Sequence, residues 1–523
     1  MKQEKNQLKI GVVLSYVNML VSNLIPIFYT PIMLALLGQA EYGLYKLSGS
    51  ITSYLSLISL GIGSAVTRYL IKARTEEDSE KEAQIFGLFM LVFQVIAIIA
   101  LLIGIVLAVN LGTWYGDALS QRELSRMRIL VLLMVCNTAL SFSQSPYLAV
   151  VNTHEKFVFQ QIMNIMTTCA APMLNLVMLF LGFASVGMAI SSLAVNVIVR
   201  IGYTLYVRNI MKVKPVYHNL PIHMLREILA FSFWVFVANV VGQLYNATDT
   251  VMMGALPALA TTGVAVYSIG GVFNQIVFSL TTGISSMLAP KVNRMVFAGV
   301  SNSELTDLAI RMGRIQGFVF ALVVTGFISF GQPFIYFYVG PGYEEAYWVA
   351  LWLMIPNMIP LVQSICLNVI VAQNKHRFRS VVYLGIAILN VVGTWFLMQI
   401  LGVIGAAMMT GLALILGQGI IMNWYYHKKT GLDMVRFWTE TGKVYVIPTA
   451  MCMFTRLLSQ KVDFYNIVEL AVGIVIYTIA YCVLNWCFSM TDYEKNIFIS
   501  PLKRIQRNFS KKQYNMSQKE GGK

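Results

Sequence analysis

The sequence predicts an all-α polytopic membrane protein with about fourteen transmembrane helices, arranged as two six-helix lobes related by a parallel pseudo-twofold repeat plus two extra C-terminal helices. Three observations predict it. Hydrophobic residues make up 57% of the 523 positions and charged residues only 12%, and the mean hydropathy is +0.68. Apolar runs long enough to cross a bilayer recur along the whole chain. A set of short motifs appears twice, in one order and at one nearly constant offset.

The hydropathy pattern places spans at 10–37, 44–71, 84–109, 129–151, 158–182, 184–207, 228–253, 262–289, 315–338, 347–371, 380–401, 403–426, 444–459 and 465–488. The first run is too long for the core of a signal peptide and lacks a small-residue cleavage pattern, so it is expected to stay in the mature protein. With the N-terminus inside, only five of the 38 Lys and Arg (Lys46, Arg122, Arg126, Arg128, Lys461) fall at the outer side, and three (Arg68, Arg200, Arg456) lie within spans. The rest are in inner loops and tails, which places both termini in the cytoplasm. The net charge of +15 therefore needs no nucleic-acid partner. The basic tail after 491 is suited to anionic lipid headgroups.

Span 1 carries Asn18 and Ser22 together with Pro26 and Pro31, polar and helix-bending residues that need partners inside a bundle. Span 2 is the most informative stretch. On a continuous helix, Lys46, Ser50, Ser53, Leu57, Gly61, Ser64 and Arg68 fall within about one quarter of the circumference. Lys46 and Arg68 are about 22 positions apart, at about 1.5 Å per residue roughly the thickness of the hydrocarbon core. Such a stripe must face protein or a watery cavity. Further along, Asp249 near the outer end of span 7 is the clearest intramembrane acid, expected either to pair with Lys46 as an outer gate or to couple an ion. Ser301 and Glu304 form a capping box ahead of an expected short interfacial helix.

The repeat fixes the lobes. LAVVNTHEKF between spans 4 and 5 answers VIVAQNKHRF between spans 10 and 11, and Tyr45, Gly49, Gly61, Ile62 and Ser64 answer Tyr267, Gly271, Gly283, Ile284 and Ser286. An even number of spans separates the copies, so they share one orientation. The expected organisation is a first lobe at 1–209, a second at 210–427, two additional helices at 428–490 and a cytoplasmic tail at 491–523. A cleft lined by spans 1, 2, 7 and 8 would include Gln275 and Ser279 of span 8.

The six cysteines lie in apolar spans without paired spacing, and the five histidines fall in inner loops. No Walker A loop, dinucleotide turn, zinc-protease motif or acidic cluster appears, so the chain is expected to move a substrate without a cofactor or metal and without changing it chemically.

The stretch GQAEYGLYKLSGSITSYLSLISLGIGSAVTRYL, the pair TDTVMMG and TTGVAVYSIGG, the AQNKHRF turn and LGVIGAAMMTG together resemble the bacterial polysaccharide flippases of the multidrug/oligosaccharidyl-lipid/polysaccharide exporter superfamily. The resemblance covers about residues 8–490. It implies alternating access in the bacterial cytoplasmic membrane and transfer of a polyprenyl-diphosphate-linked oligosaccharide from the inner to the outer leaflet for cell-surface polysaccharide. In the related lipid II flippases, cavity arginines engage the diphosphate and the last two helices offer a groove to the lipid tail. Here Lys46 and Arg68 are the cavity cations, and span 1 has no arginine, a departure that favours a glycan other than lipid II. Membrane lipids and the lipid-linked glycan are the expected partners of a monomer, with membrane potential and H+ or Na+ coupling as alternative drives. The second reading is an organic-cation antiporter of the same superfamily, which the scarcity of buried acids disfavours.

Overall fold

The computed structural model describes residues 2–286, 289–373, 375–459, 462, 464–497 and 499. Lys461 and most of the basic tail expected after 491 lie outside them. Among the described residues all regular structure is helical. In chain order the helices are α1 (Lys2–Leu37), α2 (Gln39–Ser53), α3 (Ile62–Thr75), α4 (Ser79–Tyr115), α5 (Gln121–Thr153), α6 (Phe157–Phe180), α7 (Ala184–Leu205), α8 (Met224–Asn246), α9 (Thr248–Gly254), α10 (Ala260–Ser286), α11 (Ala289–Phe297), α12 (Asn302–Val339), α13 (Glu345–Val362), α14 (Ser364–Ala372), α15 (His376–Leu414), α16 (Asn423–Lys429), α17 (Met434–Gly442), α18 (Val446–Leu458) and α19 (Ile467–Leu484). Nine helical stretches among the described residues are long and apolar enough to cross a membrane. Other expected spans are present in pieces, because several helices break part-way.

The most consequential break corrects the reading of span 2. The stretch 44–71 is not one helix: α2 passes into a 3-10 turn over Tyr54–Ser59, Leu60 and Gly61 adopt left-handed φ values of 49° and 71°, and α3 starts at Ile62. A Cβ on Gly61 would stand 2.6 Å from Cγ1 of Val235, so α8 packs against bare backbone at the break. The stripe from Lys46 to Arg68 therefore does not run along one helical face. Span 7 breaks likewise at Ala247, between α8 and α9.

Spans 380–401 and 403–426 are separate, as expected. Gly402 (φ 60°) interrupts α15, Met409 packs on Gly393, and Thr410 bonds Asn390, pairs that a straight helix would hold apart. Gly402 thus closes a helical hairpin. At 305–316 the expectation of a short separate helix gives way to the first turns of the long α12. The Ser301 hydroxyl does accept from the Glu304 amide at 3.3 Å. The short amphipathic helix is instead α11, with Phe297 exposed and Val292 buried.

The chain forms two compact units, 1–273 with 338–353 and 380–413, and 274–337 with 354–379 and 414–523. In the first, α4 packs along α5, and α7 on both α5 and α6, around a core that includes Phe86, Phe89, Phe93, Val150 and Tyr203. In the second, α12 packs with the C-terminal helices around Ala321, Phe330, Phe464, Leu470, Tyr477 and Tyr481. Tyr477 donates to Thr325 at 2.7 Å and Tyr481 to the Phe318 carbonyl at 2.7 Å. A buried ion pair completes this unit: Arg314 meets Glu494 through Nε at 2.6 Å and Nη2 at 3.1 Å, and also donates to the carbonyls of Glu440 and Ser489.

Candidate functional site

Within the first unit, α2 presents Tyr45, Lys46, Gly49, Ser50 and Ser53, one helical face, to a cavity of about 580 Å³. Asn137 and Thr138 of α5, Ser192 of α7, and Gln243 and Asn246 of α8 complete the wall. Hydroxyls and amides thus surround a single ammonium group. The Lys46 nitrogen lies 5.4 Å from the centre of the Tyr42 ring, and among the described residues no carboxylate is within ion-pair distance of it. Glu41, its neighbour on α2, is already occupied: it accepts from Arg126 at 2.6 Å and from Ser185 at 2.5 Å. Gln243 braces the wall by donating to the Ser53 carbonyl and the Ser56 hydroxyl while accepting from the Ser53 hydroxyl.

Further contacts tie α2, the turn after it and α4 to α9 and to the segment before α13. Tyr54 and Thr248 share a hydrogen bond of 2.5 Å, Tyr115 donates to the Val251 carbonyl, and Gln39 donates to the Gly342 carbonyl at 2.9 Å. Glycine makes the approach close enough. A Cβ on Gly43 would meet the Thr261 carbonyl oxygen at 1.7 Å, and one on Gly254 would meet Leu47 at 2.5 Å.

Asp249 is not paired with Lys46 in this structure. It is 2% exposed and belongs to its own polar cluster, in which Oδ2 accepts from Tyr267 at 2.5 Å and from Thr410 at 2.7 Å. Asn390, held between Thr394 and Thr410, extends the cluster into the α15 hairpin, and Tyr245 donates to the Thr410 carbonyl. Oδ1 of Asp249 and Nδ2 of Asn390 are buried without a partner among the described residues.

Of the residues singled out in the sequence, Lys46, Ser50 and Ser53 line one cavity. Asn18 accepts from Thr168 of α6, and the Ser22 hydroxyl donates to the Met19 carbonyl of its own helix; neither is among the residues lining that cavity. Arg68 sits exposed on α3, beyond the break. The side chain of Ser64 lies outside the described residues. Gln275 and Ser279 belong to the second unit, where the Ser279 hydroxyl donates to the Gln275 carbonyl. Sequence reasoning missed Asn137, Thr138, Ser192, Gln243 and Asn246, whose one signal is that they are polar within apolar spans.

A family model described as polysaccharide biosynthesis protein matches residues 8–297, more than half of the chain. The chain belongs to that family. Among solved structures, this polysaccharide biosynthesis protein is similar to the lipid II flippase MurJ in an inward closed conformation, at 14% identity and a TM-score of 0.70 over 92% of this chain and 99% of that one. It is also similar to an inward-facing multidrug resistance MATE transporter of the MOP superfamily (11% identity, TM-score 0.62, 80% of this chain and 99% of that one). A third likeness is the MATE multidrug transporter DinF-BH (15% identity, TM-score 0.58, 80% of this chain and 96% of that one). At these identities the likenesses show the fold alone, one shared with these transporters. No curated protein sequence matches the chain. The resemblance read from the motifs and the family model agree on the polysaccharide biosynthesis family, and the nine long apolar helical stretches among the described residues fit a multi-pass membrane protein.

Proposed function

We propose that this protein is a flippase that carries a polyprenyl-diphosphate-linked oligosaccharide from the cytoplasmic to the outer leaflet by alternating access between two six-helix lobes. The observation that carries the reading is the cavity of hydroxyls and amides around an ammonium group that has no counter-ion among the described residues. Hydroxyl and amide groups match the many hydroxyls of a glycan, and a lone cation attracts an anionic headgroup while it repels an organic cation. The prenyl tail stays in lipid. With both termini in the cytoplasm, this reading puts the start of α2, held by Gln39 and Gly43, at the outer side and takes those contacts to close the cavity there.

An inside-negative potential favours outward movement of negative charge by about 2.3 kcal/mol per charge per 100 mV. The Asp249 cluster supplies a second drive. A buried carboxylate with one oxygen unpartnered, close to an unpartnered amide, suits a proton or Na+ taken up and released during the cycle.

The test is thermal stabilisation of the purified protein by a polyprenyl-diphosphate glycan and, separately, by an organic cation. A ligand at about 100 times its Kd that binds only the folded state adds about 2.7 kcal/mol. Stabilisation by the lipid glycan supports the flippase. Stabilisation by the cation alone, lost in Asp249→Asn, makes the protein an antiporter.

A further inference from the structure

Resting on the flippase reading, we infer that the cavity at Lys46 is a subsite for one sugar of the glycan that bears a single negative charge, and that the diphosphate is held elsewhere. Charge is the first argument. A diphosphate linkage carries two negative charges, and a partly buried pocket that takes it in must neutralise both or leave one uncompensated at low dielectric. This pocket has one cation. Arginine, whose planar fork matches phosphate oxygens, is absent from the lining, and Arg68 is removed to α3 by the 3-10 turn and the left-handed residues 60 and 61.

The second argument is the rest of the wall. Asn137 accepts from Asn196 through Oδ1, which leaves its amide N–H groups to donate to a ligand. Asn246 spends a donor on the Gly242 carbonyl, which leaves its oxygen to accept. Ser50 contributes a hydroxyl that does either, while Thr138, whose hydroxyl donates to the Met134 carbonyl at 2.9 Å, offers its oxygen as an acceptor. A mixed donor and acceptor lining matches sugar hydroxyls, whereas a diphosphate offers only acceptors. The third argument is size. About 580 Å³ is within the ~300–1,000 Å³ typical of pockets that enclose a small ligand, room for a short run of sugar rings but not for a long glycan. Glu41, which precedes Lys46 on α2, is withheld from it by Arg126 and Ser185. A carboxylate, as in a hexuronic acid, and a phosphodiester substituent present the same single charge.

The experiment uses three synthetic polyprenyl-diphosphate disaccharides that differ only at one position: a neutral hexose, the matching hexuronate, and the hexose carrying a methyl phosphodiester. Prenyl diphosphate without sugar is the fourth probe. Binding to the full-length protein in nanodiscs is measured for the wild type, Lys46→Gln and Lys46→Arg. The expected result is a preference of about tenfold or more for one or both charged glycans over the neutral one. That preference disappears in Lys46→Gln and is kept in Lys46→Arg, with binding of prenyl diphosphate unchanged in both. Whichever charged glycan shows the preference identifies its source. Equal binding of all three glycans overturns the inference and leaves the flippase standing, as does a Lys46→Gln loss that falls equally on prenyl diphosphate. If no lipid-linked glycan binds while an organic cation does, the flippase reading fails and the subsite falls with it. Should Lys46→Gln be poorly folded, the charged-over-neutral ratio in the wild type and Lys46→Arg decides alone.

Discussion

The proposed outer closure depends on bare backbone at Gly43, and replacing that residue is the most direct way to open it. In Gly43→Ala the new Cβ would stand 1.7 Å from the Thr261 carbonyl oxygen, where ordinary contact begins at 3.4 Å. The obstacle is backbone at the start of α10, so no rotamer change relieves it. The helices must move apart by the missing distance, about half of normal contact, and loosen the Tyr54–Thr248 bond and the fit of Leu47 on Gly254. Overpacking of this kind costs about 1–3 kcal/mol. If the cost falls on the closed state alone, the closed-to-open ratio drops by about 5- to 150-fold. The readout is labelling of Thr138→Cys, a cavity position, by a membrane-impermeant maleimide added to intact cells, in a background whose six native cysteines have been replaced. Gly43→Ala should raise the labelling rate at least about fivefold. Gly49→Ala, on the same helix with nothing within 4 Å of its Cβ, should leave it unchanged. Equal rates in the two variants at equal thermal stability would refute the claim that this contact holds the end shut.

Three further outcomes follow from the packing. Gly61→Ala should destabilise by more than the about 1–2 kcal/mol of a left-handed residue, because its Cβ also meets Val235; melting temperatures against Gly63→Ala, which has open space, check this. Glu494→Gln leaves the Arg314 guanidinium buried without a counter-charge and should cost about 3–5 kcal/mol in detergent unfolding, with Arg314→Lys losing part of that by keeping the charge but not the fork. Thr410→Val removes a donor from the buried Asp249 carboxylate and should cost about 1–3 kcal/mol, with Thr410→Ser close to the wild type in the same unfolding measurement.

The helical class and most spans were legible because burial in lipid demands long apolar runs, whatever the detail inside them. The break in span 2 was not, since a 3-10 turn and an α-helix draw on the same apolar residues, and Leu60 gives no warning of a left-handed φ. Lys46, Ser50 and Ser53 were found because the face they share lies within the unbroken part of α2. Asn137 and Ser192 were missed because a lone polar residue in an apolar span usually meets a neighbouring helix, as Asn18 does with Thr168. The partners of Asp249 lie on α10 and α15, and no local pattern links positions so far apart in sequence.

The 3-10 turn over Tyr54–Ser59 also stores length. Its six residues rise about 2.0 Å each, against about 1.5 Å in an α-helix, and advance about 120° per residue instead of 100°. Rewinding the turn would draw α3 toward α2 by about 3 Å and rotate it by about a third of a revolution. The guanidinium of Arg68 would sweep to another face of the bundle while Lys46 stayed fixed. One membrane span would thereby act as a screw, with its head fastened by the packing of α2 on α9 and its tip turning beneath it.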